Sequence, residues 1–383
     1  MKILVFTYSV TRCAGGVFDA VRDLFINEVF YEHNIKIEII SFLDNYVTED
    51  ISKWNGIPII LFKAGPMLYS KAARNALINA DADILHMEGL WRYPQILMGV
   101  WKKHRKDPIV CSPHGMLDPY IIQSQGKIKR IISKQFFQNS LEGVDCFHAL
   151  CKKELQDIRD YGLKQPVAII PNGVNLPQED RSYEVRDDKK HLLYLGRLHP
   201  KKGIDLLIKA IAEIKVHNMT LLKNWVVDVV GWDHENTKAS LLDLVKKYQL
   251  EKNIIFHGGL FEDDKVRMYA TSSAYILPSH GEGLPMTVLE AWSWKLPVLM
   301  TDYCNLPEGF ECDAAIKLDT NVDAVKNGIE KLFQMTDSEL KQMGNNGYKL
   351  VKNQFTWDMS AKNMSQLYQW LLFGGHKPEF VFE

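Results

Sequence analysis

Short apolar runs alternate with amphipathic stretches along most of the chain. Lys2–Thr7, Lys36–Ser41, Pro58–Phe62, Asp83–His86, Ile109–Cys111, Cys146–Ala149 and Val167–Ile170 are brief and rich in Ile, Val and Leu. Between them, Val17–Tyr31, Ser70–Asn79, Tyr93–His104, Lys127–Leu141 and Cys151–Asp160 repeat apolar residues at helical spacing. The first set predicts strands and the second helices. Largely apolar strands separated by helices predict a parallel sheet covered on both faces. The rhythm pauses after Pro171, Asn172, Gly173 and Pro177, in a cluster of charges. It restarts with strands predicted at His191–Leu195, Trp225–Val230, Asn253–Phe256, Ala274–Leu277 and Pro297–Met300. Their helices fall at Asp205–Lys215, Lys238–Tyr248, Asp263–Thr271 and Pro285–Trp294, and Val322 to Leu372 reads as helices only. The expectation is two Rossmann-like, doubly wound α/β domains facing a cleft: 1–175, a linker at 176–190, then 191–355, with 356–383 as a closing segment.

Bulk properties narrow this picture. A chain of 383 residues exceeds one ordinary core, which fits two domains. Its 46% hydrophobic and 24% charged content is that of a globular protein, and no apolar stretch reaches the roughly 18 residues of a spanning helix. A net charge of -1 gives no global pull toward nucleic acid, so any anion site must be local. The apolar start Lys2–Phe6 soon meets Arg12 and Asp19, which suits a first strand better than a signal peptide. The six cysteines form no CxxC pair and read as reduced thiols of a cytoplasmic protein.

Ligands of open parallel sheets bind beyond the carboxyl ends of the strands. After the first strand stand Gly15 and Gly16, which let backbone approach a ligand closely. They do not form GxGxxG, so the dinucleotide fingerprint of an NAD enzyme is missing there. His114 follows the strand at Ile109, beside Gly115. Gly196, Arg197 and Lys202 follow the first strand of the second domain, and two cations there can clamp a diphosphate. Glu282 and Glu290 straddle Gly283, Leu284, Pro285 and Met286, where Pro285 suits the first helical position and nearby N–H groups suit phosphate. One turn or more apart, the two carboxylates fit two different parts of an elongated ligand rather than one shared proton. Each feature also has a plain structural reading: a tight turn, a structural histidine, a solvated basic loop, a dipole-favoured glutamate.

Taken in order, Arg197…Lys202-Gly203, Pro278-Ser279 and Glu282-x7-Glu290 resemble the retaining glycosyltransferases of the GT-B fold, family 4. Ile170-Pro171-Asn172-Gly173-Val174 resembles that family's interdomain segment. Ser112-Pro113-His114-Gly115-Met116-Leu117-Asp118-Pro119 is similar to a bacterial surface-polysaccharide subgroup. Phe355-Thr356-Trp357 resembles the start of a last helix that crosses back to the first domain. The resemblance implies a donor held by the second domain: Arg197 and Lys202 on the diphosphate, Glu282 on sugar hydroxyls, Glu290 on the ribose. It also implies His114 at the sugar's reacting face, Gly15-Gly16 near the diphosphate, and the base near Phe256-His257-Gly258. The acceptor would attack from the leaving-group face, with a phosphate oxygen as base and no metal. Two departures stand out, Gly283-Leu284-Pro285 in place of a Gly-Phe-Gly form and Lys295 where a small residue is frequent.

The implied substrates are a UDP- or GDP-linked hexose and a glycan or lipid-linked oligosaccharide; Glu88-Gly89-Leu90-Trp91-Arg92-Tyr93 and Asp118, which follow strands of the first domain, are acceptor-lining candidates, Trp91, Arg92 and Asp118 foremost. Gln125–Leu141 carries Lys127, Lys129, Arg130 and Lys134 among Ile128, Ile131, Ile132, Phe136 and Phe137. That pattern suits peripheral contact with the cytoplasmic face of an anionic membrane, or an ordinary packed helix with a basic outer face. The rivals are a sugar-nucleotide epimerase of the same fold and a non-catalytic nucleotide-sugar-binding subunit; the intact Arg197, Lys202, Glu282 and Glu290 set weighs against both.

Overall fold

A computed structural model describes residues 1–119, 122, 137–177, 183–184, 187–233, 236–260 and 262–383. The chain divides into two compact units, Met1–Gly173 with Trp357–Glu383, and Val174–Thr356. The second unit thus begins ahead of the 176–190 stretch, and the chain passes between units twice.

In the first unit, seven strands run parallel: β1 (Lys2–Thr7), β2 (Lys36–Phe42), β3 (Ile59–Phe62), β4 (Ile84–Glu88), β5 (Ile109–Ser112), β6 (Cys146–Ala149) and β7 (Val167–Ile169). In the second, β8 (Lys190–Leu195), β9 (Trp225–Val230), β10 (Ile254–Gly258), β11 (Ala274–Leu277), β12 (Val298–Thr301) and β13 (Ala315–Leu318) form an all-parallel sheet in the order β10-β9-β8-β11-β12-β13. A final strand, β14 (Val381–Phe382), returns to the first unit and pairs antiparallel with β7, giving the order β14-β7-β6-β5-β4-β1-β2-β3. The central strands are buried on both faces, as β1, β4, β9 and β11 show, which is why they read as continuous apolar runs.

Both sheets reverse direction at one point, between β1 and β4 in the first and between β8 and β11 in the second. Such a switch point opens a crevice at the strands' carboxyl ends. The loops that leave β1, β4 and β5, and those that leave β8 and β11, carry nearly all the candidate residues.

Three details differ from the expected elements. The stretch expected to run as one helix over Val17–Tyr31 breaks into Gly16–Phe25 and Glu28–Glu32, because the Asn27 side chain accepts from Val29 N and starts a new helix. Pro285 is the cap before the helix Met286–Ser293 rather than its first residue. Strands β13 and β14 had no counterpart in the sequence pattern. The basic stretch 125–141 lies, up to 136, outside the described residues. Trp357–Phe373 is a helix of the first unit: Ser360 Oγ donates to the Pro171 carbonyl at 2.7 Å, and Asn27 Nδ2 donates to Asp358 at 2.8 Å.

Candidate functional site

The second unit builds its site at the switch point. Beyond β8 the chain makes a single 3-10 turn, Pro200–Lys202, that ends on Gly203 at φ 68°. A Cβ on Gly203 would sit 2.1 Å from the Pro278 carbonyl oxygen, so only glycine lets this loop lie against the end of β11. The two loops are then laced together. His280 N donates to the Lys201 carbonyl at 2.8 Å, Ser279 Oγ to the same carbonyl at 3.1 Å, and Thr301 Oγ1 to the Ser279 carbonyl at 2.6 Å. This lacing delivers Lys202 to Glu282: its ammonium donates to both carboxylate oxygens, at 2.7 and 2.8 Å. The head groups are mostly buried, with side-chain exposures of 18% and 10%. Asn305, itself left-handed at φ 56°, donates to the carbonyls of Glu282 and Gly283 at 2.7 and 2.9 Å and fixes that turn.

Glu290 lies inside the helix Met286–Ser293, whose cap Pro285 supplies no side-chain acceptor. Lys265 donates to one Glu290 oxygen at 2.6 Å, and the Tyr269 hydroxyl to the other at 2.7 Å. Lys265 and Tyr269 stand four apart on the helix Glu262–Ala270, hence on one face. Burial, then the Glu290 carboxylate, push the Tyr269 hydroxyl well above its ordinary pKa, so it remains a donor. Arg197 is exposed, and its guanidinium has no ion-pair partner among the described residues. Cations, a helix start without a side-chain cap, and carboxylates able to accept from hydroxyls are the groups that suit an anionic, hydroxyl-rich ligand. Phe256 and Gly258 end β10, and His257 Nε2 pairs with the buried Asp228 at 2.7 Å. His191 Nδ1 takes the other Asp228 oxygen at 2.7 Å, so His257 is held from beneath.

The first unit has its own cluster. Gly15, at φ 57° and ψ −136°, caps the helix that begins at Gly16. Arg12 anchors this loop on the buried Asp50, through its backbone N at 2.9 Å and its guanidinium at 2.7 and 2.9 Å. The Arg12 guanidinium beside it holds the Asp50 carboxyl well below the usual carboxylate range. At the end of β4, Glu88 is buried and its Oε2 meets His114 Nε2 in a short ion pair. His114 and Gly115 are left-handed in succession, at φ 52° and 73°. That costs roughly 1–2 kcal/mol for a residue with a Cβ, and Glu154 holds the turn by accepting from Gly115 N at 2.6 Å. Trp91 Nε1 donates to the Met116 carbonyl at 2.9 Å, and its ring meets Phe137 and Tyr161, at centroid distances of 6.2 and 5.9 Å. Arg92 lies over the Tyr8 ring at 5.3 Å, and Asp118 N donates to the Gly115 carbonyl at 3.0 Å.

The structure therefore brings Lys202 to Glu282, and sets Gly196 at the end of β8, where its N–H donates to Val230. Sequence reasoning missed Lys265, Tyr269, Asp50 and the Glu88–His114 pairing. Lys265 and Tyr269 had a signal, an i,i+4 polar pair on a helix before β11; the other partnerships join distant strands and had none. Among the described residues no cluster of three or more His, Cys, Asp or Glu is arranged to hold a metal ion, and no helix is long and apolar enough to cross a membrane.

Residues 177–350 match the family described as glycosyl transferases group 1, and residues 44–178 match glycosyltransferase family 4. An uncharacterized glycosyltransferase of Methanocaldococcus jannaschii is 26% identical over 219 residues, 53% of this chain and 54% of the relative. A lipopolysaccharide 1,2-N-acetylglucosaminetransferase of Salmonella typhimurium is 26% identical over 218 residues, 52% of this chain and 55% of its own length. The chain spans about half the length of most curated relatives it matches. Among solved structures, sucrose-phosphate synthase of Thermosynechococcus elongatus superposes with a TM-score of 0.72 at 20% identity, covering 97% of this chain and 99% of that one. Anabaena HepE in complex with UDP and glucose gives 0.71 at 15%, covering 96% and 99%. The shared fold is GT-B.

Proposed function

From a chain of GT-B fold whose two segments match a family 4 and a group 1 glycosyltransferase domain, we propose a transferase that moves a hexose from a nucleoside-diphosphate donor to a glycan or lipid-linked oligosaccharide. The transfer retains anomeric configuration, needs no metal, and serves the synthesis of a bacterial surface polysaccharide at the cytoplasmic face of the membrane. The observation that carries the reading is the Lys202–Glu282 pair, on the loops after β8 and β11, together with the Glu290–Lys265–Tyr269 group on the helices flanking β11 in the same unit.

Each residue then has a role. Arg197 and Lys202 take the diphosphate, and Glu282 is released to bind sugar hydroxyls. Glu290, aimed by Lys265 and Tyr269, takes the ribose, with the base near Phe256, His257 and Gly258. As the sugar departs, negative charge grows on the phosphate oxygens. The two cations and the N–H groups near Gly283, Leu284 and Met286 stabilise it, each preorganised donor contributing about 2.7–4 kcal/mol. His114 and the Gly15–Gly16 loop serve the reacting sugar, and Trp91, Arg92 and Asp118 serve the acceptor. Relatives that act on lipopolysaccharide and O-antigen and a structural neighbour that holds UDP support the choice of substrates.

The test is thermal stabilisation by UDP, GDP, ADP and NAD, each in large excess. A ligand at about 100 times its dissociation constant adds roughly 2.7 kcal/mol, a rise of several degrees. One nucleoside diphosphate should raise the melting temperature, and Glu290→Ala should abolish that rise. A rise with NAD alone would overturn the reading, and binding without turnover on any sugar nucleotide would favour a non-catalytic subunit.

A further inference from the structure

A polar network runs through the apolar core of the first unit. Tyr368 OH meets His86 Nδ1 at 2.5 Å, His86 Nε2 meets Ser112 Oγ at 2.7 Å, and Ser112 Oγ meets His148 Nδ1 at 2.8 Å. His148 Nε2 ends the row by donating to the Ile170 carbonyl at 2.8 Å. Glu88 sits at its edge, 3.3 Å from His86 Nε2 through one oxygen and paired with His114 Nε2 through the other. All these side chains are nearly inaccessible; His114 retains 8% exposure.

A buried carboxylate stays ionised where a neighbouring cation or hydrogen-bond donors offset its desolvation. Burial lowers the basicity of His86, and it pushes His148 down to about 4, so both are neutral. Burial also opposes a charge on His114, but the Glu88 carboxylate outweighs it and lifts His114 above its ordinary value. Desolvation resists the charge on Glu88, and the histidines at its two oxygens, of which His114 carries the proton, keep its carboxyl below the ordinary value. The other titratable groups around His114 are Glu154, which accepts from Gly115 N and Leu150 N, and the buried, neutral Cys111. The single compensating cation of the cluster is His114. Its Nε2 is consumed by Glu88, and its Nδ1 has no partner among the described residues.

We infer that Glu88 is a positioning residue that keeps His114 an imidazolium and leaves its Nδ1–H as the donor to a substrate oxygen, a step that rests on the transferase reading above. A neutral imidazole hydrogen-bonded through Nε2–H would offer Nδ1 as an acceptor, the wrong polarity for an oxygen that gains negative charge. With Glu88 beneath it, the ring presents a charged donor, and the left-handed His114–Gly115 turn fixes where that donor points.

The decisive measurement is a pH titration of the histidine ring nitrogens by NMR in 15N-histidine-labelled, ligand-free full chain, with His114 identified by its absence in His114→Gln. At pH 7.5 both His114 nitrogens should resonate as a protonated imidazolium and titrate only above the ordinary histidine range. In Glu88→Gln the transition should fall by about 1–3 pH units, and the alkaline limb of kcat should move to lower pH by the same interval, with KM for the donor changed far less than kcat. Should Glu88→Gln fail to fold, the wild-type titration still decides. A His114 that is neutral at pH 7.5, or a titration unmoved by Glu88→Gln, overturns the inference. Absence of transferase activity in the wild type overturns the proposed function instead, and the NMR titration remains the judge of the Glu88–His114 assignment.

Discussion

Lys202→Met separates the two tasks of the Lys202–Glu282 pair. The ammonium and carboxylate are 2.7 Å apart, with 18% and 10% of their side chains exposed. Removing one member of a fully buried pair costs about 3–5 kcal/mol, because the remaining charge is stranded. Here some water reaches both head groups, which brings the expected cost to roughly 2–3 kcal/mol. For a unit the size of Val174–Thr356 that is a fall in melting temperature of about 4–12 °C. Adding Glu282→Gln removes the stranded charge and should restore most of the loss, leaving a positive coupling in a double-mutant cycle. The assay is thermal unfolding of wild type, both singles and the double variant, each with and without the stabilising nucleotide. Stability should return in the double variant, while the nucleotide-dependent rise should be absent from it and from Lys202→Met alike. A Lys202→Met protein that melts with the wild type would refute the reasoning, since the pair would then be solvated and loose. So would a double variant as unstable as the single, since the loss would then lie in packing.

Two further outcomes follow from the geometry. Gly203→Ala places a Cβ 2.1 Å from the Pro278 carbonyl oxygen in a left-handed residue; urea unfolding should show a loss of about 2 kcal/mol or more, with weakened nucleotide binding, as the two loops are forced apart. Asp50→Asn should destabilise at pH 7: the depressed Asp50 carboxyl contributes its full stability above the unfolded value of 3.8 and loses it only as pH falls toward the much lower folded value, so the gap between the two melting curves should be full at pH 5, begin to narrow below about pH 4 and still be open at about pH 3.

The strands were legible because parallel strands are buried on both faces. Lys2–Thr7, Cys146–Ala149, Trp225–Val230 and Ala274–Leu277 are bounded in the structure as their apolar runs predict. Strand β13, with its exposed Lys317, is too short and mixed to stand out, and the pair Val381–Phe382 is a strand only because β7 has an open edge beside it. The helix break at Asn27 was written in the sequence, an asparagine followed by Glu28, but apolar periodicity on both sides masks it. In the site, Glu282 and Glu290 were visible from spacing about one helix start. Their partners came from elsewhere: Lys202 is 80 positions from Glu282, and Lys265 is 25 from Glu290. Glu88 ends β4, and His114, 26 positions on, lies in the turn that follows the neighbouring strand β5. Hydrogen bonds across a sheet depend on register and strand order, which periodicity does not encode.

The first unit is made of two pieces of chain with the whole second unit between them. This has a consequence for biogenesis. A ribosome releases Val174–Thr356 as one uninterrupted length, so that unit can close while synthesis continues. The first unit cannot, although most of it emerges earlier. Until Trp357–Glu383 arrives, His86 lacks the Tyr368 hydroxyl, the Pro171 carbonyl lacks Ser360, and β7 offers a bare edge. Met1–Gly173 is thus made before Val174–Thr356 yet finished after it, and in that interval the exposed β7 edge is where a chaperone, or another nascent chain, would find it.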